Sequence, residues 1–327
     1  MLELLSALIS LVIVLLLMPG LIHFMRDRGM IQPEYGLGPD SFKKRNKPPN
    51  MGGLVIALAS VLSSLLISQA SGSSSAALLL LLPSLGALLI GFADDWIKDM
   101  QKHHEGLKPR YKLIGQTAVG LVFSLMMMNL LGTAIHLPFS RSTLDLQWAY
   151  IPLMTLLFVF MTNSANLQDG VDGLMGSVTF AGSAAMGVIA VIISGGSFAD
   201  PGTAFACFAL AGACLGFLFF NQHPAKVFMG DTGSMFIGGL LTGAAMLLRL
   251  QLWLIPLCAT MILSSLSVIA QRVYFKLTGG KRLIRMSPIH HHFEMIGWSE
   301  NKIARRYTLA VLILSVIAVF AALPIAP

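Results

Sequence analysis

Long apolar segments are the feature that most limits the folds open to this chain. We find ten of them, each close to the roughly 20 residues that a helix needs to cross a bilayer core. Charged residues make up only 11% of the chain, against about 25% of an average soluble domain. We therefore expect an all-α polytopic membrane protein, a single domain over residues 1–327. The expected spans are 2–25, 51–70, 76–93, 111–131, 149–165, 174–194, 204–220, 233–248, 252–275 and 307–325.

The distribution of Lys and Arg predicts how these spans are oriented, because cytoplasmic loops carry an excess of basic residues. If the spans alternate in direction, all of the 22 basic residues except Arg141 and Arg249 fall on one side, which we take as cytoplasmic. Both termini then lie outside. Of the 15 carboxylates, only Glu3, Asp145 and Asp200 fall outside as well. The net charge of +7 indicates loops that face anionic lipid and substrate, and not a nucleic-acid partner.

Two adjacent carboxylates, Asp94 and Asp95, end the apolar run 76–93 and are followed by Lys98. Neighbouring residues on a helix point about 100° apart, so we expect the two to have different roles. One could act as a base toward an attacking phosphate or hydroxyl, while the other orients a metal ion or a lysine. The alternative is a solvated helix end at which the carboxylates pair with Lys98. We favour a functional role, because ionisable residues at a membrane boundary usually have one.

A second polar stretch, Asn163 to Gly173, follows the run 149–165. On a helix, Asp169 and Asp172 would share one face, since they are three residues apart. Asn163 and Asn166 offer amide groups to a sugar or a base. An ordinary turn explains these residue types, but it does not explain why so many of them follow an apolar helix.

The stretch Asn221 to Ser234 contains a third set of polar residues. Asp231 is an oxygen ligand of the kind that Mg²⁺ takes together with substrate phosphates. Thr232 and Ser234 could cap the helix that follows, whose N-terminus favours a phosphate. Phe228 offers a face for a stacked base. The chain has no phosphate-binding P-loop motif, so any nucleotide is held in another way.

Three consecutive histidines occur in the stretch Pro288 to Glu294. Consecutive side chains on a helix cannot all face one metal ion. We therefore favour pyrophosphate or sugar binding by these imidazoles over metal ligation.

These four stretches, in this order on ten expected spans, resemble the phospho-N-acetylmuramoyl-pentapeptide transferase family. The carboxylate stretches are shared across its superfamily, the polyprenyl-phosphate N-acetylhexosamine-1-phosphate transferases, and the histidine stretch points to this family within it. The resemblance implies transfer of phospho-MurNAc-pentapeptide from UDP-MurNAc-pentapeptide to undecaprenyl phosphate, which yields lipid I and UMP. It also implies Mg²⁺, a homodimer, an active-site cleft on the cytoplasmic face, and a multi-pass location in the bacterial inner membrane.

The resemblance also implies roles for individual residues. The catalytic positions would be Asp94, Asp95, Asp169, Asn221, Asp231 and His290, with Asp231 as the metal ligand. The substrate-binding positions would be Lys47, Lys98, Lys112, Asn163, Asn166, Leu167, Asp172, Phe228, Gly230, His291 and His292. One place departs from the family, because the expected P-T-M-G-G reads Pro49-Asn50-Met51-Gly52-Gly53. The family's lysine upstream could therefore be Lys44 or Lys47, or be replaced by Arg45.

Two other functions compete with this interpretation. A sister transferase would use UDP-GlcNAc, and the histidine stretch argues against it. A secondary transporter would place polar residues near the bilayer midplane and show inverted repeats. Here the carboxylates lie at one rim of the expected bundle, and no internal repeat is visible.

Overall fold

The computed structural model describes residues 1–29, 48–72, 74–101, 106–193 and 201–326. Almost all regular structure in them is helical. The helices are α1 Leu2–Asp27, α2 Gly53–Ala70, α3 Ser75–Leu79, α4 Leu81–Gln101, α5 Pro109–Leu131, α6 Tyr150–Gln168, α7 Leu174–Ile193, α8 Gly202–Asn221, α9 Gly230–Leu247, α10 Leu254–Leu257, α11 Ala259–Leu277, α12 Ile289–Met295 and α13 Glu300–Ala322. A short antiparallel hairpin joins α5 to α6, with β1 Ala134–His136 paired to β2 Thr143–Asp145.

Local sequence signals set several of these helix ends. Proline occupies the first position of α5, where a helix N–H has no intrahelical partner to lose. Gly132 follows the same helix with φ of 80°, a left-handed conformation that glycine adopts without steric cost. α5 is thus bounded at both ends by residues that its sequence supplies.

The membrane-protein class is confirmed. Among the described residues, eight helical segments are long and apolar enough to cross a bilayer. A further candidate is the pair Gln251–Leu257 and Ala259–Leu277, which bends by 87° at the break. These nine correspond to nine of the ten expected spans. The tenth, 233–248, forms most of α9 but is not among the candidates, so the count of ten and the orientation stay predictions.

α9 lies at the centre of the bundle. Every residue from Thr232 to Leu247 is buried, and the helix packs against α4, α6 and α2. A side chain at Gly91 of α4 would place its Cβ 2.3 Å from the backbone oxygen of Asp231. The missing side chain therefore lets α4 approach the first turn of α9, which brings the carboxylates of the two helices together.

Candidate active site

The junction between α4 and α9 is held by Asp95, which is fully buried. Its Oδ2 accepts hydrogen bonds from the Thr232 backbone N–H at 2.8 Å and from the Thr232 hydroxyl at 2.6 Å. Its Oδ1 accepts from the Asp231 N–H and from Asn50 Nδ2, each at 3.2 Å. The carboxylate of Asp95 thus satisfies N–H groups in the first turn of α9 that have no partner within the helix.

The expectation that Thr232 and Ser234 cap α9 is wrong. Thr232 donates its hydroxyl to Asp95, and Ser234 donates its own back to the Gly230 carbonyl at 3.0 Å. The N-cap residue is Met229, whose side chain makes no capping bond. The cap comes from another helix, 136 residues away in the chain, because a buried carboxylate there is a stronger acceptor than a local hydroxyl.

Asp231 stands at the start of α9 between two lysines and an asparagine. Its Oδ2 lies 2.7 Å from Lys112 Nζ and 3.2 Å from Lys98 Nζ. Its Oδ1 accepts a hydrogen bond from Asn166 Nδ2 at 2.7 Å. The structure therefore brings together four of the residues that sequence reasoning selected, from α4, α5, α6 and α9.

Asp94 points to different neighbours from Asp95, as their spacing predicts. Its Oδ2 pairs with Lys98 Nζ at 2.5 Å, and its Oδ1 accepts from the Leu107 backbone N–H at 3.1 Å. A Cβ at Gly106 would lie 2.8 Å from the Asp94 carboxylate, so the chain passes closely over it. Asp94, and not Asp95, faces the cleft.

A cleft of about 430 Å³ opens between α4, α5 and α6. Its polar lining combines carboxylates, ammonium groups and amides. The lining residues are Asp94, Lys98, Leu107, Pro109, Lys112, Leu113, Gln116, Asn163 and Asp231. Both cationic and anionic groups are therefore available to one bound molecule.

The expectation that Asp169 and Asp172 share a helical face is wrong. α6 ends at Gln168, and Asp169 has a non-helical backbone conformation. Burial, and then the charges of Asp231 and Asp95, raise the pKa of Asp169 to about 7, although a hydrogen bond from the Gly230 backbone opposes them. Asp172 instead accepts from His223 Nδ1 at 2.9 Å and from the Ala225 N–H at 3.1 Å. The turn therefore directs the two carboxylates to different partners, Asp169 to the Gly230 backbone and Asp172 to His223 and Ala225.

Asn221 links two loops and is buried. Its Nδ2 donates to the Val227 carbonyl at 2.9 Å, and its Oδ1 accepts from the Gly173 N–H at 3.0 Å. Both ends of the amide are used within the protein. These bonds position the turn after α6 and the segment before α9.

The histidine stretch forms α12, which lies against the turn after α6. A Cβ at Gly170 would be 2.5 Å from His290 Nε2 and 3.0 Å from His291 Nε2. His290 is buried, and burial followed by the charge of His291 holds its pKa well below the usual value. His291 pairs with Glu294 at 2.6 Å, while His292 Nδ1 accepts from the Arg285 N–H. His290 Nδ1 contacts the Ser264 hydroxyl at 3.4 Å, so the three imidazoles have three different partners.

Comparisons with known proteins cover nearly the whole chain. A family model described as glycosyl transferase family 4 matches residues 77–249. Relatives named phospho-N-acetylmuramoyl-pentapeptide-transferase include that of Halalkalibacterium halodurans, 40% identical over 319 residues, which are 97% of this chain and 96% of the relative. That of Bacillus subtilis is 39% identical over 317 residues, 96% of each chain. The chain belongs to this transferase family.

Family membership confirms the resemblance that the four motifs carry, while the role of each residue stays a prediction. Phe228 is partly exposed but does not line the cleft, and its carbonyl accepts from the Gly52 N–H at 2.9 Å. Gly230 has φ of 77°, and a Cβ there would lie 2.6 Å from Asp95 Oδ2. Leu167 is partly buried on α6. Lys47, with Lys44 and Arg45, lies outside the described residues.

The transferase family implies a metal ion, and three carboxylates meet where one could bind. One oxygen each of Asp94, Asp95 and Asp231 lies within 4.8 Å of the others. Asp95 accepts four hydrogen bonds outside the cleft, whereas Asp94 and Asp231 line it, so these two fit a cation better. One or two carboxylates with substrate phosphates are what Mg²⁺ usually takes. The donor set therefore fits the ion.

Sequence reasoning missed three buried polar residues at or near this site. Asn50 donates to Asp95, Glu300 Oε2 accepts from the Asp172 N–H at 3.0 Å, and Gln116 lines the cleft. Asn50 occupies the position where the family pattern has threonine. A polar residue at that position could have indicated a role for Asn50 at the site. Gln116 follows Lys112 by one helical turn, and that spacing places both on one face of α5.

Proposed function

We propose that this chain transfers phospho-MurNAc-pentapeptide from UDP-MurNAc-pentapeptide to undecaprenyl phosphate, giving lipid I and UMP. The observation that carries the proposal is the position of Asp231, held by Lys98, Lys112 and Asn166 in a cleft that Asp94 also lines. Phosphoryl transfer needs cationic groups near the transferred phosphate and a group to receive or orient the nucleophile. The names of the relatives supply the transferred group, and the family resemblance implies the UDP-linked donor and the undecaprenyl phosphate acceptor.

In this proposal the lysines bind the diphosphate. Lys98 and Lys112 share Asp231 Oδ2, and the phosphate oxygens of a bound nucleotide-sugar would compete with that carboxylate for both ammonium groups. Such fixed cations stabilise the negative charge on the phosphates. Asp94 would receive the proton of the attacking lipid phosphate or attack as a nucleophile itself, and both routes stay open.

Asp231 and Asp94 would hold Mg²⁺, and the bound ion would neutralise the diphosphate and help UMP to leave. Asp95 would position Asp231 through the first turn of α9. The amide of Asn166 would orient the Asp231 carboxylate. We also propose that Asn163, Leu167, Asp172, Phe228 and Gly230 form the uridine side, and that Asp169 and His290–His292 contact the pyrophosphate or sugar.

We further propose that the protein is a homodimer in the bacterial inner membrane with its cleft toward the cytoplasm. The basic loops would then gather two anionic substrates from that side. The size of the particle in a mild detergent, measured by light scattering, tests the dimer.

The reaction is tested by UMP release from purified protein given Mg²⁺, undecaprenyl phosphate and either UDP-MurNAc-pentapeptide or UDP-GlcNAc. We expect release only with the pentapeptide substrate, lost in Asp231→Ala and in excess EDTA, and restored by added Mg²⁺. Asp145→Ala is the matched control, since Asp145 lies in the hairpin and accepts from the Gln147 N–H.

The alternatives make different predictions in this assay. Release with UDP-GlcNAc alone would assign the chain to a sister transferase. Transport of a labelled nucleotide-sugar into vesicles without any UMP release would favour a carrier. Activity that survives complete metal removal would overturn the Mg²⁺ proposal but leave the transfer reaction standing.

A further inference from the structure

Gln116 is buried and lines the cleft, but it belongs to none of the four sequence motifs. It lies on α5 one turn after Lys112, and it lines the cleft together with Asn163 and Asp231. Its side chain is 1% exposed. Gln116 is thus more buried than Lys112, whose side chain is 14% exposed.

The bonds of Asn163 determine which way the Gln116 amide points. Asn163 makes a 2.7 Å contact with the Val159 carbonyl, which can only accept, so the contacting atom is the nitrogen Nδ2. The same Nδ2 lies 2.9 Å from Gln116, so the facing atom of Gln116 is its oxygen Oε1. This leaves Gln116 Nε2, with its two N–H groups, on the other side of the amide.

Within the part of the chain that the structure describes, Gln116 Nε2 has no hydrogen-bond partner. Native proteins rarely leave a buried hydrogen-bond donor without an acceptor, so we infer that Gln116 Nε2 donates to a bound molecule. The neighbouring lysines make this cleft favourable for an anion, and a phosphate oxygen is a strong acceptor for an N–H donor. The missing partner of Gln116 is therefore best supplied by a phosphate.

We propose that Gln116 binds substrate by donating a hydrogen bond from Nε2 to a phosphate oxygen of the two reacting molecules. This inference rests on the proposed function. The phosphate belongs either to the diphosphate of the nucleotide-sugar or to the lipid carrier, and the two sources share the same acceptor chemistry. Asn163 acts through Gln116 as the residue that fixes the direction of the donor.

Two substitutions test the donor. Gln116→Glu has the same shape and still offers an oxygen to Asn163, but it replaces the N–H groups by a carboxylate oxygen that repels phosphate. Gln116→Met removes the donor without adding charge. Gln251→Met is the matched control, because Gln251 is also a buried glutamine, 4% exposed. It comes after the C-terminal end of α9 and does not line the cleft.

The full-length variants are compared in bilayer nanodiscs, with UMP release measured while each substrate is varied at saturating amounts of the other. We expect a rise of about ten-fold or more in one KM, or an equal fall in kcat, for both Gln116 variants. A change in the KM for the nucleotide-sugar assigns the contact to its diphosphate, and a change in the KM for the lipid assigns it to the carrier. A change in kcat alone assigns the bond to the transition state.

Unchanged kinetics in both folded variants would overturn the proposal, and so would loss of folded protein in both, since that outcome makes Gln116 structural. Protection against thermal unfolding by inorganic pyrophosphate provides a second measurement. If the unsubstituted protein releases no UMP, the proposed reaction fails. Protection by pyrophosphate that disappears in Gln116→Met but persists in Gln251→Met would still support the contact.

Discussion

Asp95 accepts both the backbone N–H and the hydroxyl of Thr232, at 2.8 Å and 2.6 Å, and so joins the end of α4 to the beginning of α9. The adjacent Asp94 points into the cleft and contacts Lys98 instead. One carboxylate of the pair therefore positions the helix that bears Asp231, and the other faces the substrates. This division gives the two aspartates different expected phenotypes.

Asp95→Asn is expected to lower stability. An amide keeps one acceptor oxygen but turns an N–H toward the donors of Asp231 or Thr232, which costs about 1–3 kcal/mol. In thermal unfolding in detergent, each kcal/mol corresponds to a drop of about 2–4 °C. Asp94→Asn is expected to abolish UMP release with little change in melting temperature. Equal melting temperatures for the two variants would contradict the division of roles.

Gly91→Ala is expected to reduce activity by about ten-fold or more, because the new Cβ would lie 2.3 Å from the Asp231 oxygen and must push α4 and α9 apart. Gly20→Ala in α1 is the control, since nothing lies within 4 Å of the Cβ it adds. The measurement is kcat/KM for both variants. Parent-like activity in Gly91→Ala would show that the close approach of the helices is not needed for catalysis.

Lys112→Gln is expected to raise the KM for the nucleotide-sugar by about ten-fold, because it removes one of the two cations on Asp231. Arg110→Gln tests whether the effect is merely one of net charge. Arg110 is exposed on the same helix, and its guanidinium contacts Tyr111. The prediction fails if the two substitutions change the KM equally.

The raised pKa of Asp169 should make the free energy of unfolding depend on pH. Its pKa rises from 3.8 in the unfolded chain to about 7, so the folded protein binds the proton over a range where the unfolded chain has lost it. Stability therefore falls as pH rises from about 4 to about 7. Asp169→Asn cannot ionise and lacks this slope.

We expect the melting temperature of Asp169→Asn, relative to the unsubstituted protein, to increase between pH 5 and pH 8. The comparison is made in EDTA, so that metal binding does not contribute. Asp172→Asn, from the same turn, serves for comparison because His223 already pairs with that carboxylate. A constant difference across this pH range would contradict the raised pKa of Asp169.

Much of the fold was predictable because apolar runs report directly on burial in lipid. Nine of the expected spans correspond to candidates in the structure, and the tenth, 233–248, stays a prediction. α9 begins with the polar residues Asp231, Thr232 and Ser234, which lower its hydropathy, and it is buried by other helices. Composition alone could not distinguish burial in protein from burial in lipid.

The candidate site was predictable in part, for residues whose chemistry is unusual at a membrane boundary. Asp94 and Asp231, with Lys98 and Lys112, meet in one cleft. The shared helical face of Asp169 and Asp172 was wrong, because the chain leaves the helix at Gln168. Local spacing predicts a common face only while the helix continues, and the glycines that follow end it.

By itself the sequence determined the membrane class, the family and the residue types available for phosphate chemistry, since these follow from hydropathy and from motifs. Tertiary structure alone decided which carboxylate caps α9, which one faces the cleft, and which way the Gln116 amide points. The cap and the direction of the Gln116 amide each depend on a partner 47 or more residues away. Hydrogen bonds are short and directional, so their partners are set by helix packing and not by order along the chain.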